Sequence, residues 1–172
     1  MLHKADRALD DINKLHSFWL FSLEPKEKDI ITIVAIDQTS RQHLNLKWPW
    51  PRSTTAEMIR KISACGPKAI GLDIVFSGES EPAEDQALIT ALKSHPKIIA
   101  ASVVQPDGII KPAPQFETAL KSTGFVNRPI EGGKVRSLIP IIQDANQPPL
   151  IPMEFEILQA YLDRDITKRL VL

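Results

Sequence analysis

Asp37, Asp73 and Asp85 are the residues of this chain whose type and spacing offer chemistry. Asp37 closes the run IVAID and Asp73 lies in IGLDIVF. Each therefore stands near the carboxyl end of an expected parallel strand, where open α/β sheets hold their ligands. Asp85 precedes Leu88, Ile89 and Leu92 at helical spacing, which puts it on a sheet-facing helix side, in the first turn, toward the same rim. Three carboxylates on one rim repel each other unless a cation or a base sits among them. Arg52, in the loop leaving the first strand, is the candidate base, and a bound divalent ion held by Asp37, Asp73 and Asp85 is the sharper alternative. The plain alternative is that Asp37 and Asp73 cap loops while Asp85 favours a helix N-terminus. The residues alone leave all three open.

The elements that must position these groups follow from apolar period and punctuation. Residues 3–22 carry Ala5, Ala8, Leu9, Ile12, Leu15 and Trp19 near a 3.6 period and predict an amphipathic helix. EPKEKD is a charged connector, and IITIVAI (30–36) predicts a first strand buried on both faces. A helix is expected from Thr54, with Thr54 and Glu57 at capping-box spacing, ending at Gly66-Pro67. AIGLDIVF (69–76) predicts a second strand, making a βαβ unit with the first. Pro82 opens a helix to about Lys93, KIIAASVV (97–104) is a third strand and PDG (106–108) a turn. Pro114 opens a short helix through Phe116 and Leu120. GFVN (124–127) and KVRSLIPII (134–142) read as paired strands around Gly132-Gly133, with Pro140 marking an edge or a bulge. Pro152 opens a closing helix to about Leu162. The fold class is α/β: a βαβαβ core with a mixed, mostly parallel sheet flanked by helices, then a late hairpin and a closing helix. The expected division is a helix and connector over 1–28, a main domain over 29–163 and a tail over 164–172.

Within this frame the stretch KWPWPR (47–52) spans the rim where the carboxylates gather. Each proline fixes its own φ and biases the preceding tryptophan toward an extended form. A stiff extended loop can hold an indole over the sheet end as a lid, or plug the core with one ring. Trp48 and Trp50 alternate, so they are not expected both to point inward. Arg52 is expected to reach back to Asp37 or Asp73 and tie the loop to the strand ends.

Composition narrows the function class. Lys+Arg and Asp+Glu are both 21, so the chain lacks the basic excess of a nucleic-acid binder. Its 172 residues, 43% of them hydrophobic, can build a core without disulfides, metal or cofactor. Prolines outnumber glycines 14 to 7, so the loops are stiff. No apolar run reaches the length of a membrane span, and no secretory signal is visible. There is no glycine-rich phosphate loop, nucleophile elbow or HExxH, and His3, His16, His43 and His95 lack ligand spacing with one another. Cys65 ends an apolar stripe and reads as a small core residue. Lys134 and Arg136 read as a solvated hairpin edge.

VAID followed by Ser40, then WPWPR, CGPKAIGLDIVF, the acidic EDQAL helix, GFVN and GGKVR resemble the type-two CHASE domain, a cyclase/histidine-kinase-associated sensory extracellular domain. The resemblance runs from about Asp29 to Leu162. Its motif positions here are Asp37, Ser40, Trp48, Pro49, Pro51, Arg52, Asp73, Phe76, Asp85, Asn127 and Arg136. The chain departs from the pattern at Leu44-Asn45-Leu46, where members commonly carry a glycine shortly before WPWPR. The resemblance implies a non-catalytic sensor on the periplasmic or extracellular side of a bacterial membrane receptor. It implies flanking spans outside this segment, and a cytoplasmic output such as a nucleotide cyclase, histidine kinase or cyclic-di-GMP enzyme. It also implies an unidentified small-molecule or protein stimulus, and the output enzymes' dimeric habit points to weak or conditional homodimerisation through the terminal helices, helix 3–22 having an apolar stripe with little partner of its own. An enzymatic alternative remains, a metal-dependent hydrolase using Asp37, Asp73 and Asp85, as does a pure dimerisation module.

Overall fold

Residues 30–36 were expected to open the sheet, yet they form no strand, with Ile31 80% and Ile33 85% exposed. The computed structural model describes residues 30–131, 134–135, 141–144 and 147–166. It divides the chain into two units, Met1–Leu46 and Lys47–Leu172. The β-branched run 30–36 is thus a correction to the expected first strand. A strand exists through its ladder, and among the described residues no strand pairs with this run, so propensity alone leaves it irregular. After it comes α1, Gln38–Leu44. Asp37 caps α1, accepting from the Ser40 N–H and the Ser40 hydroxyl, each at 2.7 Å. Asn45 closes the helix in the left-handed conformation, φ 51° and ψ 34°. Asparagine tolerates that region better than most residues, which suits a position close to the glycine of the type-two CHASE pattern. The helix 3–22 lies outside the described residues.

In the second unit, α2 spans Arg52–Ala64 and β1 Ile70–Leu72; α3 spans Pro82–Leu92, β2 Ile98–Gln105 and β3 Gly108–Ile110. Next come α4, Pro114–Glu117, and β4, Ser122–Phe125. The short strands β5 (Ile130–Glu131), β6 (Lys134–Val135), β7 (Ile142–Asp144) and β8 (Gln147–Leu150) lead to α5, Met153–Leu162. As expected, Gly66 takes a positive φ of 66° directly after α2, Pro82 sits in the first turn of α3 and Pro152 is the N-cap of α5.

The sheet is mixed, which bears out the α/β class. β2 pairs parallel with β1 (Ile70 opposite Ile98) and parallel with β4 (Ile99 opposite Ser122), while β3 folds back antiparallel on its far end. GFVN therefore lies largely in a parallel strand against β2, not in a hairpin with KVRSLIPII. β5 and β6 form a small antiparallel pair of their own, Ile130 opposite Val135.

β2 is buried over its first five residues because both faces are covered. Ile98 and Ala100 meet Ala56 and Ile59 of α2, Leu88 and Leu92 of α3, and Phe76 and Phe116 in one core. The other face carries α5, which packs on β1, β2 and β4. Asn127 extends the sheet with a side chain. Its amide donates to the Val104 carbonyl at 2.8 Å and accepts the Val104 N–H at 2.7 Å, taking the place of a paired strand residue where β4 has ended.

Candidate functional site

The loop before α2 sends its two indoles different ways, as their alternation predicts. Trp50 is buried at 9% exposure, and Trp48 is 44% exposed and stands edge-on to it, ring centroids 5.8 Å apart at 68°. Pro51 then fixes the start of α2 at Arg52, two residues earlier than the Thr54–Glu57 spacing suggests. Thr54 N–H goes to the Pro51 carbonyl, and Glu57 pairs along the helix with Lys61 at 2.8 Å, so no capping box forms. The cap comes from another helix: Glu84 of α3 accepts the Ser53 N–H at 2.6 Å.

Arg52 is the centre of the arrangement. Its Nη1 donates to Asp85, and its Nη2 donates to the Gly78 carbonyl at 2.8 Å and more distantly to that of Ser77. Its guanidinium lies 4.7 Å from the centroid of Phe116 of α4, which in turn packs on Phe76 at 6.2 Å. The Asp85 carboxylate also takes the Ser80 N–H and the Gln115 amide, each at 3.4 Å. One arginine thus ties the start of α2 to the loop after β1, to the start of α3 and to α4. Both side chains of the pair are nearly enclosed, 13% and 14% exposed.

This corrects the expectation that Arg52 reaches Asp37 or Asp73. β1 ends at Leu72, and the chain beyond it turns to bury Phe76, leaving Asp73 exposed and presenting the carbonyls of Ser77 and Gly78 to the guanidinium. Asp37 serves its own helix in the first unit. The expected rim of three carboxylates is therefore not what balances Arg52. Among the described residues no group of three or more His, Cys, Asp or Glu is arranged to hold a metal. Arg136 lies outside the described residues. Cys65, expected in the core, is exposed, its thiol turned back toward the Lys61 carbonyl.

The carboxylates of the clamp respond to their donors. Burial pushes Asp85 up, but the Arg52 guanidinium and the Ser80 N–H outweigh it and hold the carboxyl below its ordinary range. The Ser53 N–H does the same for Glu84, and the Ser40 N–H for Asp37. A depressed carboxyl lends stability above its unfolded value, and that stability is lost as pH falls through the folded value. The expected result is non-additive loss of stability for Arg52→Ala and Asp85→Asn at pH ~7, with the coupling shrinking only as pH falls below the ordinary carboxyl value of 3.8 and on through the lower folded one. Urea unfolding of wild type, both single variants and the double variant at neutral pH and below 3.8 checks it. Additive losses at neutral pH would show that the pair is not coupled.

A family model described as the CHASE2 domain matches residues 5–171. The chain belongs to the CHASE2 domain family. CHASE2 domains are sensory extracellular domains of signalling proteins, and the domain is a sensor rather than a catalyst in its own right. Comparison with curated proteins and with solved structures finds no match. No helix among the described residues is long and apolar enough to cross a membrane.

In this CHASE2 domain the motif residues Arg52, Phe76 and Asp85, with Trp50 beside them in the sequence, sit around the start of α2 or in the core beneath it. Asp37 and Ser40 form a helix cap, and Asn127 completes a strand. Sequence reasoning missed Glu84, Gln115 and Phe116. The one sequence signal for Glu84 was its place beside Asp85 in the first turn of α3. Phe116 carried no signal beyond being apolar.

Proposed function

We propose that the chain is the extracytoplasmic sensor domain of a bacterial transmembrane receptor. Its output is a cytoplasmic nucleotide cyclase, histidine kinase or cyclic-di-GMP enzyme. Residues 1–28 descend from one span, and residues 164–172 lead toward the next. The observation that carries this reading is the CHASE2 match over residues 5–171. The geometry of Arg52 supports a sensing rather than a catalytic role. Its donors go to Asp85 and to backbone carbonyls, and its face is taken by Phe116, so it serves to hold elements together. Trp48 offers an exposed ring, edge-on to the buried Trp50, as a place for a stimulus to act.

Cys65 supplies the test, because it is exposed and is the single cysteine of these 172 residues. In the full-length receptor, with cysteines elsewhere replaced, a membrane-impermeant maleimide should label Cys65 in intact cells whose outer envelope admits it. Labelling only after lysis would place the domain in the cytoplasm and end this reading.

A further inference from the structure

Charge in the second unit is divided between the two ends of its parallel strands. The connection from the carboxyl end of β1 into α3, residues 73–85, carries Asp73, Glu79, Glu81, Glu84 and Asp85 and no lysine or arginine. The connections that enter the amino ends of β1, β2 and β4 are residues 65–69, 93–97 and 118–121. They carry Lys68, Lys93, Lys97 and Lys121 and no carboxylate. A chain without net charge thus holds a basic end and an acidic end.

The basic connections lie side by side. The His95 ring donates through Nε2 to the Pro67 carbonyl at 2.8 Å and accepts the Lys97 N–H on Nδ1 at 3.2 Å, which ties the entry to β2 to the entry to β1. The Ile70 N–H reaches the Lys97 carbonyl at 2.9 Å, and the Lys121 N–H reaches the Ile98 carbonyl at 2.8 Å. Paired strands run about 4.8 Å apart, so the three entries make one face. Lys93 joins it from the end of α3, where the Ser94 hydroxyl meets Ser63 of α2 at 3.2 Å.

α5 ends at the same face. Asp163, just beyond its last turn, is paired with Lys97 at 2.6 Å. Lys68, Lys93 and Lys121 stay exposed. Glu156 is half-buried on α5 and draws on Lys121 only from a distance, while Arg164 and Asp165 cancel in charge. The face therefore keeps a basic surplus. At its border the Lys68 ammonium lies 4.6 Å from the Tyr161 ring centroid, and Leu162 is 49% exposed. Lysine, tyrosine and an exposed apolar side chain together suit the boundary between water and a bilayer.

We propose that this face rests on anionic phospholipid headgroups, with Lys68, Lys93 and Lys121 as its contacts. The inference rests on the reading that residues 164–172 lead toward a membrane span. α5 delivers the chain at this end, so this is the end such a span holds against the bilayer. Lipid phosphates attract the exposed lysines and repel the acidic connection 73–85. Seated this way, the domain turns that connection and the Arg52 clamp away from the lipid.

Flotation of the whole chain with vesicles tests this. Partition onto pure phosphatidylglycerol should exceed that onto pure phosphatidylcholine by roughly tenfold or more, and should collapse at about 1 M salt, where the Debye length is about 3 Å. Lys68→Gln, Lys93→Gln and Lys121→Gln should each lower it roughly fivefold. Lys111→Gln, beyond β3 at the far end of β2, removes the same charge and should leave it within about twofold. The contact is overturned if the two lipids bind alike, or if Lys111→Gln costs as much as the other three. Cys65 stands at this face, so the thiol labelling in cells is read at low and at high salt. Salt frees the face without carrying the domain across the membrane. Labelling that appears only at high salt supports both readings, whereas ready labelling without vesicle binding removes the headgroup contact alone.

Discussion

Phe116→Ala is expected to lower the unfolding free energy by about 3–5 kcal/mol, the usual range for truncating a fully buried phenylalanine. The ring has no exposed surface and belongs to the core that α2, α3, β1 and β2 share. It also has a second role, because Arg52 rests on its face and Phe76 packs against it. Truncation therefore opens a cavity and removes the surface that positions the guanidinium toward Asp85. Urea unfolding should show a lower midpoint with an unchanged slope. Phe116→Leu, which refills most of the volume, should recover most of the loss. A loss under about 1 kcal/mol for the alanine variant would mean that the ring is not the floor of the clamp.

Gly124→Ala is expected to cost about 3 kcal/mol, at the upper end for overpacking a close contact. A Cβ there would lie 2.5 Å from the Met153 Cα, 2.7 Å from its nitrogen and 3.0 Å from the Pro152 carbonyl carbon. These are backbone atoms at the start of α5, so relief requires shifting the helix away from β4. Gly71→Ala is the matched control. Its Cβ would meet first the tip of the Ile157 side chain, which can rotate aside, so a cost of about 1 kcal/mol is expected. Thermal or urea unfolding of the two variants checks the contrast. Equal costs would show that α5 yields as easily as a side chain.

The clamp gives the KWPWPR stretch a structural role. Trp50 anchors it in the core, Pro51 sets the first residue of α2, and Arg52 is thereby aimed at the next helix. Glu84 and Asp85, adjacent on α3, divide the work: one caps α2 and the other takes its arginine. The same pair of helices is thus joined by two charged contacts whose support for the fold weakens in acid.

Much of the second unit was legible in the residues. Gly66-Pro67 stopped α2, Pro82 and Pro152 marked helix starts, and the unbroken apolar run after Lys97 became a strand covered on both faces. Such signals are local: a fixed φ, a missing side chain or a period that the chain reads within a few residues. The alternation of Trp48 and Trp50 likewise foretold one ring in and one out. What stayed hidden was which distant groups would meet. β-Branched residues at 30–36 have strand propensity, but a ladder needs a partner, and none pairs with them among the described residues. GFVN was expected to pair with the segment that follows it, and instead Gly124 and Phe125 pair parallel with Ala101 and Ser102 of β2. Position along the chain pointed Arg52 to Asp37 or Asp73, and its partner is Asp85. Only the end of β1 at Leu72, with Phe76 buried beyond it, leaves Asp73 exposed and Asp85 within reach of the guanidinium, because a charge pair depends on where two backbones arrive in space.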